Sequence, residues 1–341
     1  MPVIGVDLGG TKLALALFSD EGEVLRREVA PLQGRQGAAV GALLAERTLA
    51  LLDTAAGGGV EVGGVGVIVP GIYSAGSGRV WAPNIPGWGD YPLRRELQGR
   101  LGDGVVVTLD SDRAGYILGE VWQGVARGAR NAIFVAVGTG IGAGILIEGQ
   151  VLRGTRDIAG ATGWLALDRP YRPEYRNWGC FEHHASGPGL VRVAREYLAG
   201  TPGHRGPLAQ KPADQLTTAD VFAAEEQGDE LARRVFQNAV EFWGMAVANY
   251  VSLFDPEIVV LGGGVFGPAA RFLERIRMEA LKWAQPITMP QVRLEVSVLG
   301  TSAGLYGAGY LALLSIQDSG FGIQGESAAS EPQRLPEAGS W

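Results

Sequence analysis

Three times along this chain a short run of branched apolar residues is delivered into a turn made largely of glycine. Val3-Ile4-Gly5-Val6-Asp7 precedes Leu8-Gly9-Gly10-Thr11-Lys12, Asn131 to Val137 precedes Gly138-Thr139-Gly140-Ile141-Gly142-Ala143-Gly144, and Glu257-Ile258-Val259-Val260-Leu261 precedes Gly262-Gly263-Gly264. Such runs read as short buried strands, and glycines placed just after them mark where α/β proteins gather ligand sites. In the first two cases a second apolar stretch follows, Leu13 to Phe18 and Ile145-Leu146-Ile147. Each is therefore a strand, turn, strand unit, whereas a Walker loop opens a helix. Their separation by about one domain predicts a duplicated α/β architecture with one hairpin from each half facing a shared cleft. The first turn has the chemistry for phosphate: Gly9-Gly10 leaves backbone N–H groups unobstructed, Thr11 adds a hydroxyl and Lys12 a cation. On spacing alone, a hairpin that only turns the chain accounts for it equally well.

A chain of 341 residues, 46% hydrophobic and 19% charged, suits two soluble domains with their own cores. Its net charge of −7 and the lack of any arginine-lysine run argue against a nucleic-acid partner. No secretory leader and no apolar stretch of membrane-crossing length is read, so the expected location is cytoplasmic, with no membrane partner. The single cysteine, Cys180, excludes an internal disulfide framework and any Cys-rich zinc site.

Between the glycine turns, Val24 to Val29 reads as a third strand and Ala38 to Leu52 as a helix ended by Gly57-Gly58-Gly59. Val65 to Val69 is a strand broken at Pro70-Gly71. The loop Val80 to Trp88 that follows holds two prolines, two tryptophans and Asn84, which suits a polyhydroxylated ligand or a loop packed under its own tryptophans. Gly104 to Leu109 is a strand ending in Asp110-Ser111-Asp112, ahead of a helix from Arg113 to Gly124. One aspartate there caps the helix; a second gains weight as a base for a hydroxyl proton. Later helices are expected over Leu190 to Leu198, Leu231 to Leu253, Arg271 to Ala284 and Ala303 to Leu314, with a strand over Arg293 to Val298. Residues 316–341 are rich in Ser, Gly, Glu and Pro and are expected to form a disordered tail.

Asp7-x-Gly9-Gly10-Thr11-Lys12, Pro70-Gly71, Asn84-Ile85-Pro86-Gly87-Trp88, Gly138-Thr139-Gly140-Ile141-Gly142 and Gly262-Gly263-Gly264 occur in the order seen in the ROK family, and the chain resembles a ROK sugar kinase over roughly residues 3 to 314. The resemblance implies an actin-like, ribonuclease-H-like α/β fold. Residues 1–115, joined by a returning helix 302–315, would form the N-terminal domain, and 116–301 the nucleotide-binding domain. It further implies ATP and Mg²⁺ as cofactors and a homodimer. Asp112 would be the general base toward a sugar hydroxyl. Asp7 would help hold Mg²⁺ through water, Gly9, Gly10, Thr11 and Lys12 would face the phosphates with Gly138, Thr139 and Gly140 opposite, and Gly262, Gly263 and Gly264 would lie near the adenosine. Gly71, Asn84, Ser111, Asp112, Trp164 and Glu182 fall at sugar-side positions.

The departures from the family pattern lie on the sugar side. Where the family has Ala-Gly-Glu-Ile-Gly-His, this chain has Ala159-Gly160-Ala161-Thr162-Gly163-Trp164, so a glutamate and a histidine become Ala161 and Trp164. The family's zinc cysteines fall on Pro173 to Cys180, leaving only Cys180, and neighbouring His183 and His184 do not restore the set; no structural zinc is expected. Ser111 and Ala114 replace two asparagines near the aspartate. Three readings follow: a kinase for a sugar or cyclitol not held in the usual glucose manner, a catalytically weak binder of nucleotide or sugar with a regulatory role, and a repressor. Only six residues precede Asp7, which leaves no room for the repressors' DNA-binding segment.

Overall fold

The computed structural model describes residues 1–318; the expected tail from 319 onward lies outside the described residues. Strands β1 (Val3–Leu8) and β2 (Lys12–Phe18) pair antiparallel, with Asp7 opposite Ala14 and Leu8 opposite Leu13. β3 (Val24–Pro31) adds a solvent-facing edge whose Arg26, Arg27 and Glu28 discourage further pairing. Helix α1 (Ala38–Gly57) runs five residues past the predicted Leu52, because Ala55 still reaches the core. β4 (Gly64–Val69) then enters parallel to β1; a small hairpin, β5 (Ile72–Ser74) and β6 (Arg79–Trp81), and helix α2 (Leu93–Leu101) lead to β7 (Val106–Ser111), parallel to β4. The spatial order is β3-β2-β1-β4-β7.

After helix α3 (Asp112–Gln123) the plan repeats. β8 (Ala132–Val137) and β9 (Ile141–Ile147) pair antiparallel and β10 (Gln150–Val151) forms the edge. Four helices follow, α4 (Tyr175–Trp178), α5 (Cys180–Ala185), α6 (Gly187–Ala199) and α7 (Thr218–Glu226), then the long α8 (Glu230–Phe254). β11 (Ile258–Gly262) runs parallel to β8, and after α9 (Leu273–Trp283), β12 (Arg293–Val296) runs parallel to β11. The order β10-β9-β8-β11-β12 matches the first sheet strand for strand, so the duplication read from the glycine turns is present. One detail differs: β9 starts at Ile141 rather than Ile145, so the second turn is only Gly138-Thr139-Gly140.

Helix α10 (Ala303–Asp318) returns to the first sheet, packing on β1, β4 and β7 and along α3, while α3 also touches β8 and β9. It extends through positions assigned to the tail because Ile316 packs over Gly63 and Gly64. The helix approaches at backbone distance. A Cβ on Gly307 would stand 1.8 Å from the Gly115 carbonyl oxygen, and one on Gly66 would stand 1.9 Å from that of Ala308. Small residues at these crossings are what let two helices and a sheet meet without side chains between them. Gly307→Ala is therefore expected to destabilise by about 1–3 kcal/mol or more, lowering Tm by several degrees in calorimetry. Gly104→Ala, at a site with open space around it, should leave Tm unchanged.

Candidate active site

Two carboxylates meet at the seam between the sheets. Asp7 is the penultimate residue of β1, ahead of the turn Gly9 to Lys12, which is closed by a hydrogen bond from Gly9 N to the Lys12 carbonyl at 2.9 Å, leaving Gly10, Thr11 and Lys12 exposed. Asp112 opens α3: Ser111 caps the helix by accepting from Ala114 N, and Asp112 Oδ1 accepts from Arg113 N at 2.8 Å. Burial pushes Asp112 up to about 6, against the opposing pull of Arg113. Asp7 is also pushed up to about 6, first by burial and then by the like charge of Asp112, while Lys12 pulls it down. Gly304, at the start of α10, backs this pair; a Cβ there would lie 2.8 Å from Asp7 Oδ2. Burial and both carboxylates also raise the Tyr116 phenol, one helical turn beyond Asp112. The pair stays raised although Lys12 pulls on one acid and Arg113 on the other, which suits a cation or a proton to be accepted.

The loop after β6 reaches the first turn, since a Cβ on Gly10 would lie 3.1 Å from the Asn84 amide nitrogen. The loop is held by hydrogen bonds from Ala82 N to the Trp88 carbonyl and from Ile85 N to that of Ala82. Its two tryptophans divide: Trp88 is buried, stacked on Tyr91 at 4.5 Å and donating Nε1–H to the Gly37 carbonyl, while Trp81 is half exposed. The packed-loop reading thus holds for Trp88, which anchors the loop, and Asn84 is exposed. Gly71 has φ of 104° and sits against the Trp81 carbonyl, where any side chain would clash. Ser111 is buried and spends its hydroxyl on the helix cap.

In the second half the strand ends of β8 and β11 lie side by side, which brings the other two glycine turns together. Gly263, with φ of 88°, packs on the Val137 carbonyl, Gly262 covers Phe134, and Gly264 faces open space, as does Gly138. The Gly138 carbonyl accepts from Gly187 N at 2.8 Å, the first residue of α6, and Thr139 is exposed. Glu182 points from α5 at this turn: its Oε2 accepts from Ile141 N at 2.8 Å and would lie 2.8 Å from a Cβ on Gly140. Burial raises its carboxyl, while the Ile141 N–H and Arg192 pull it down. A separate cavity of about 480 Å³, between the 75–78 turn and α2, contains none of these residues.

Trp164 closes a single 3-10 turn, Thr162–Trp164, and is 58% exposed, so its indole is not part of the core. The region of the family's zinc cysteines is filled by packing. The Tyr175 hydroxyl donates to Asp168 Oδ2 at 3.1 Å and pairs with His184 Nε2 at 2.8 Å, and the His184 ring stacks on Phe242 at 4.3 Å. Burial, with the nearby His183 and Arg172, pushes His184 down to about 4. Among the described residues no group of three or more His, Cys, Asp or Glu is arranged to hold a metal ion. Four residues of the site were not singled out from sequence: Tyr116, Gly304, and the arginines Arg113 and Arg153. Only Arg113, directly after the candidate base, stood in a position that could have signalled a role.

The sequence profile of the ROK family matches residues 3–314. A glucokinase of Halalkalibacterium halodurans is 31% identical over 315 residues, covering 90% of this chain and 94% of the relative. The crystal structure of a ROK hexokinase from Thermus thermophilus superposes with a TM-score of 0.77 at 33% identity, covering 93% of this chain and all of that one. A ROK glucokinase from Streptomyces griseus, solved with glucose and AMPPNP, gives 0.68 at 28%, covering 92% of this chain and 99% of that one. The two matched sheets are those of the actin-like ATPase fold. With the profile spanning nearly all of the described chain, this protein belongs to the ROK family.

Proposed function

We propose that the chain is an ATP-dependent carbohydrate kinase in which Asp112 accepts the proton of a sugar or sugar-like polyol hydroxyl as that oxygen attacks the γ-phosphate. The observation that carries this reading is the placement of the Asp112 carboxylate: recessed at the N-terminus of α3 and near enough to raise Asp7, whose strand leads into the open Gly9 to Lys12 turn. Loss of the hydroxyl proton to Asp112 makes the attacking oxygen nucleophilic as the bond to the leaving ADP oxygen breaks. The Streptomyces griseus relative, solved with glucose and AMPPNP, supports a nucleotide and a sugar as the ligands. In this reading Gly10, Thr11 and Lys12 meet the phosphates from one side, Gly138 to Gly140 from the other, and Gly262 to Gly264 border the adenosine. A recessed acid next to a second acid fits a magnesium ion bound through water, held by Asp7; such an ion would neutralise phosphate charge. No zinc takes part, and Cys180 is a packing residue.

The proposed division places 1–115 with α10 in one domain and 116–301 in the other, in a cytoplasmic homodimer. Asn84 and Glu182 remain to orient the sugar, while Ala161 and Trp164 offer a methyl group and an exposed indole where the family has two polar side chains. The same departure supports the second reading, a catalytically weak ROK protein that binds nucleotide or sugar in a regulatory role. A coupled ADP-release assay over a panel of sugars and cyclitols separates the two: turnover on one panel member at rates ordinary for a kinase supports the first, and ligand binding without turnover the second.

Asp112→Asn should lower kcat about 10²- to 10⁴-fold with nucleotide affinity nearly unchanged. Wild-type turnover in that variant would remove Asp112 from the role.

A base that titrates near 6 must be ionised to act, so kcat/KM for the sugar should fall about tenfold per pH unit on the acid side of that value. Stability moves the other way. The folded pKa of Asp112 lies above its ordinary value, so its favourable contribution is present at low pH and is lost as pH rises through about 6. Asp112→Asn should therefore melt higher than wild type at pH 8 and equal to it near pH 4; a lower Tm at pH 8 would contradict the burial argument.

Glucose should be a poor substrate. Two hydroxyl partners lost cost on the order of 1–3 kcal/mol each, enough to weaken glucose by about two orders of magnitude. A ligand with an apolar face toward Trp164 should be favoured, with quenching of indole fluorescence as a direct readout. A kcat/KM for glucose matching that of a committed glucokinase would overturn this.

A further inference from the structure

Two arginines that the mechanism above does not use bracket Asp112 in the fold. Arg113 sends its guanidinium to the backbone of the segment after β10: Nη1 donates to the carbonyls of Ile158 at 3.2 Å and Ala159 at 3.1 Å, and Nη2 to that of Asp157 at 3.5 Å. Arg153, where the same segment begins, forms an ion pair at 2.6 Å with Asp110, a carboxylate only 3% exposed. The segment closes on itself through Ala159 N to the Arg153 carbonyl, and returns to β9 through Ala143 N to the Gly160 carbonyl at 2.7 Å.

The sequence of β9 is shaped around Arg113. A Cβ on Gly142 would stand 3.2 Å from Arg113 Cδ, and one on Gly144 would stand 2.0 Å from the Arg113 carbonyl oxygen. The last two glycines of the 138–144 motif therefore admit helix α3 rather than a phosphate. Ala161 and Trp164 follow at once, so the residues that depart from the family on the sugar side hang from the segment that Arg113 holds.

We propose that Arg113 is a positioning residue that fixes segment 157–164, and with it Trp164, against the helix carrying Asp112; the functional part of this rests on the kinase reading. Three charge-assisted hydrogen bonds from one planar fork hold a backbone in one place, which a point charge cannot reproduce in full. An alternative, that Arg113 serves mainly to set the charge of Asp112, fits the geometry less well. Its guanidinium is committed to carbonyls, and it is its backbone N–H that bonds Asp112.

The test compares full-length wild type, Arg113→Ala and Arg113→Lys, using the panel sugar that wild type phosphorylates fastest. Amide hydrogen exchange over 153–164 is measured in parallel. A displaced substrate segment should lower kcat/KM for the sugar about tenfold or more in Arg113→Ala while KM for ATP changes less than about twofold, with Arg113→Lys in between. Exchange at 159–164 should quicken in Arg113→Ala with exchange in β1 and β4 unchanged. Wild-type sugar kinetics in Arg113→Ala, or equal losses toward sugar and ATP, would overturn the proposal. Should Arg113→Ala not fold, Arg113→Gln enters the same comparison. Should wild type phosphorylate no panel member, the kinase reading fails separately, and exchange at 159–164 then decides whether Arg113 holds the segment.

Discussion

The contact on which the rest of the structure depends is the one made by α10 against β4 and α3 with no side chains in between. The helix comes last in the described chain, after the second sheet is complete, yet it lies on the first. Backbone packing at Gly66, Gly115 and Gly307 allows α3 and α10 to occupy the seam together. Because α3 also touches β8 and β9, its N-terminus is fixed by both halves. Asp112 stands at that N-terminus, so the candidate base belongs to the seam and not to either sheet. The same placement puts Gly304 against Asp7, and the first turn of α10 thereby shapes the second acid as well.

Seam placement has an electrostatic consequence. Each of the two acids is held near 6 by burial, so keeping either ionised at neutral pH costs on the order of 2–3 kcal/mol before solvent access reduces the figure. A chain selected for stability alone would place neutral side chains here. Asp110, two residues from Asp112 and more deeply buried, shows the contrast: burial raises it too, but Arg153 and the Ser111 N–H pull it back. The two carboxylates thus meet their arginines differently: Asp110 is ion-paired directly with Arg153 at 2.6 Å, whereas the Arg113 guanidinium that pulls on Asp112 is hydrogen-bonded to the Ile158 and Ala159 carbonyls. A direct ion pair ties Asp110 to the 153–160 segment, while Asp112 keeps a carboxylate that no side chain among the described residues pairs with directly.

Much of the fold was legible because its signals are local. Uniform apolar runs ending in glycine identify β1, β8 and β11, and their duplication follows from pattern alone. The boundaries that moved did so for non-local reasons: α1 continues to bury Ala55, and α10 continues because Ile316 finds Gly63 and Gly64. The site was legible where a motif is a backbone shape, as at Gly9 to Lys12. It was illegible where a motif glycine answers to a distant neighbour. Gly142 and Gly144 look like part of a phosphate turn until α3 is seen lying on them, and nothing local pairs Arg153 with Asp110 across 42 intervening positions. Short helices such as α4 and α5, with too few residues to show a period, were likewise invisible.

The stretch around Cys180 is held together by side-chain packing. A metal ties several chain segments through a few strong bonds; here the ties are distributed among Tyr175, His184, Asp168 and Phe242, which stack and hydrogen-bond beneath α5. Glu182 sits in that same helix, so its reach to the Ile141 N–H depends on this packing. Segment 153–164 is secured from the opposite direction by Arg113 and by the Arg153–Asp110 pair. Movement that separated it from β7 would break the Arg153–Asp110 ion pair. Ala161 and Trp164 are therefore carried on backbone anchored to the base-bearing helix. Substitutions at these two positions therefore alter the surface of the segment while the frame around Asp112 is left in place.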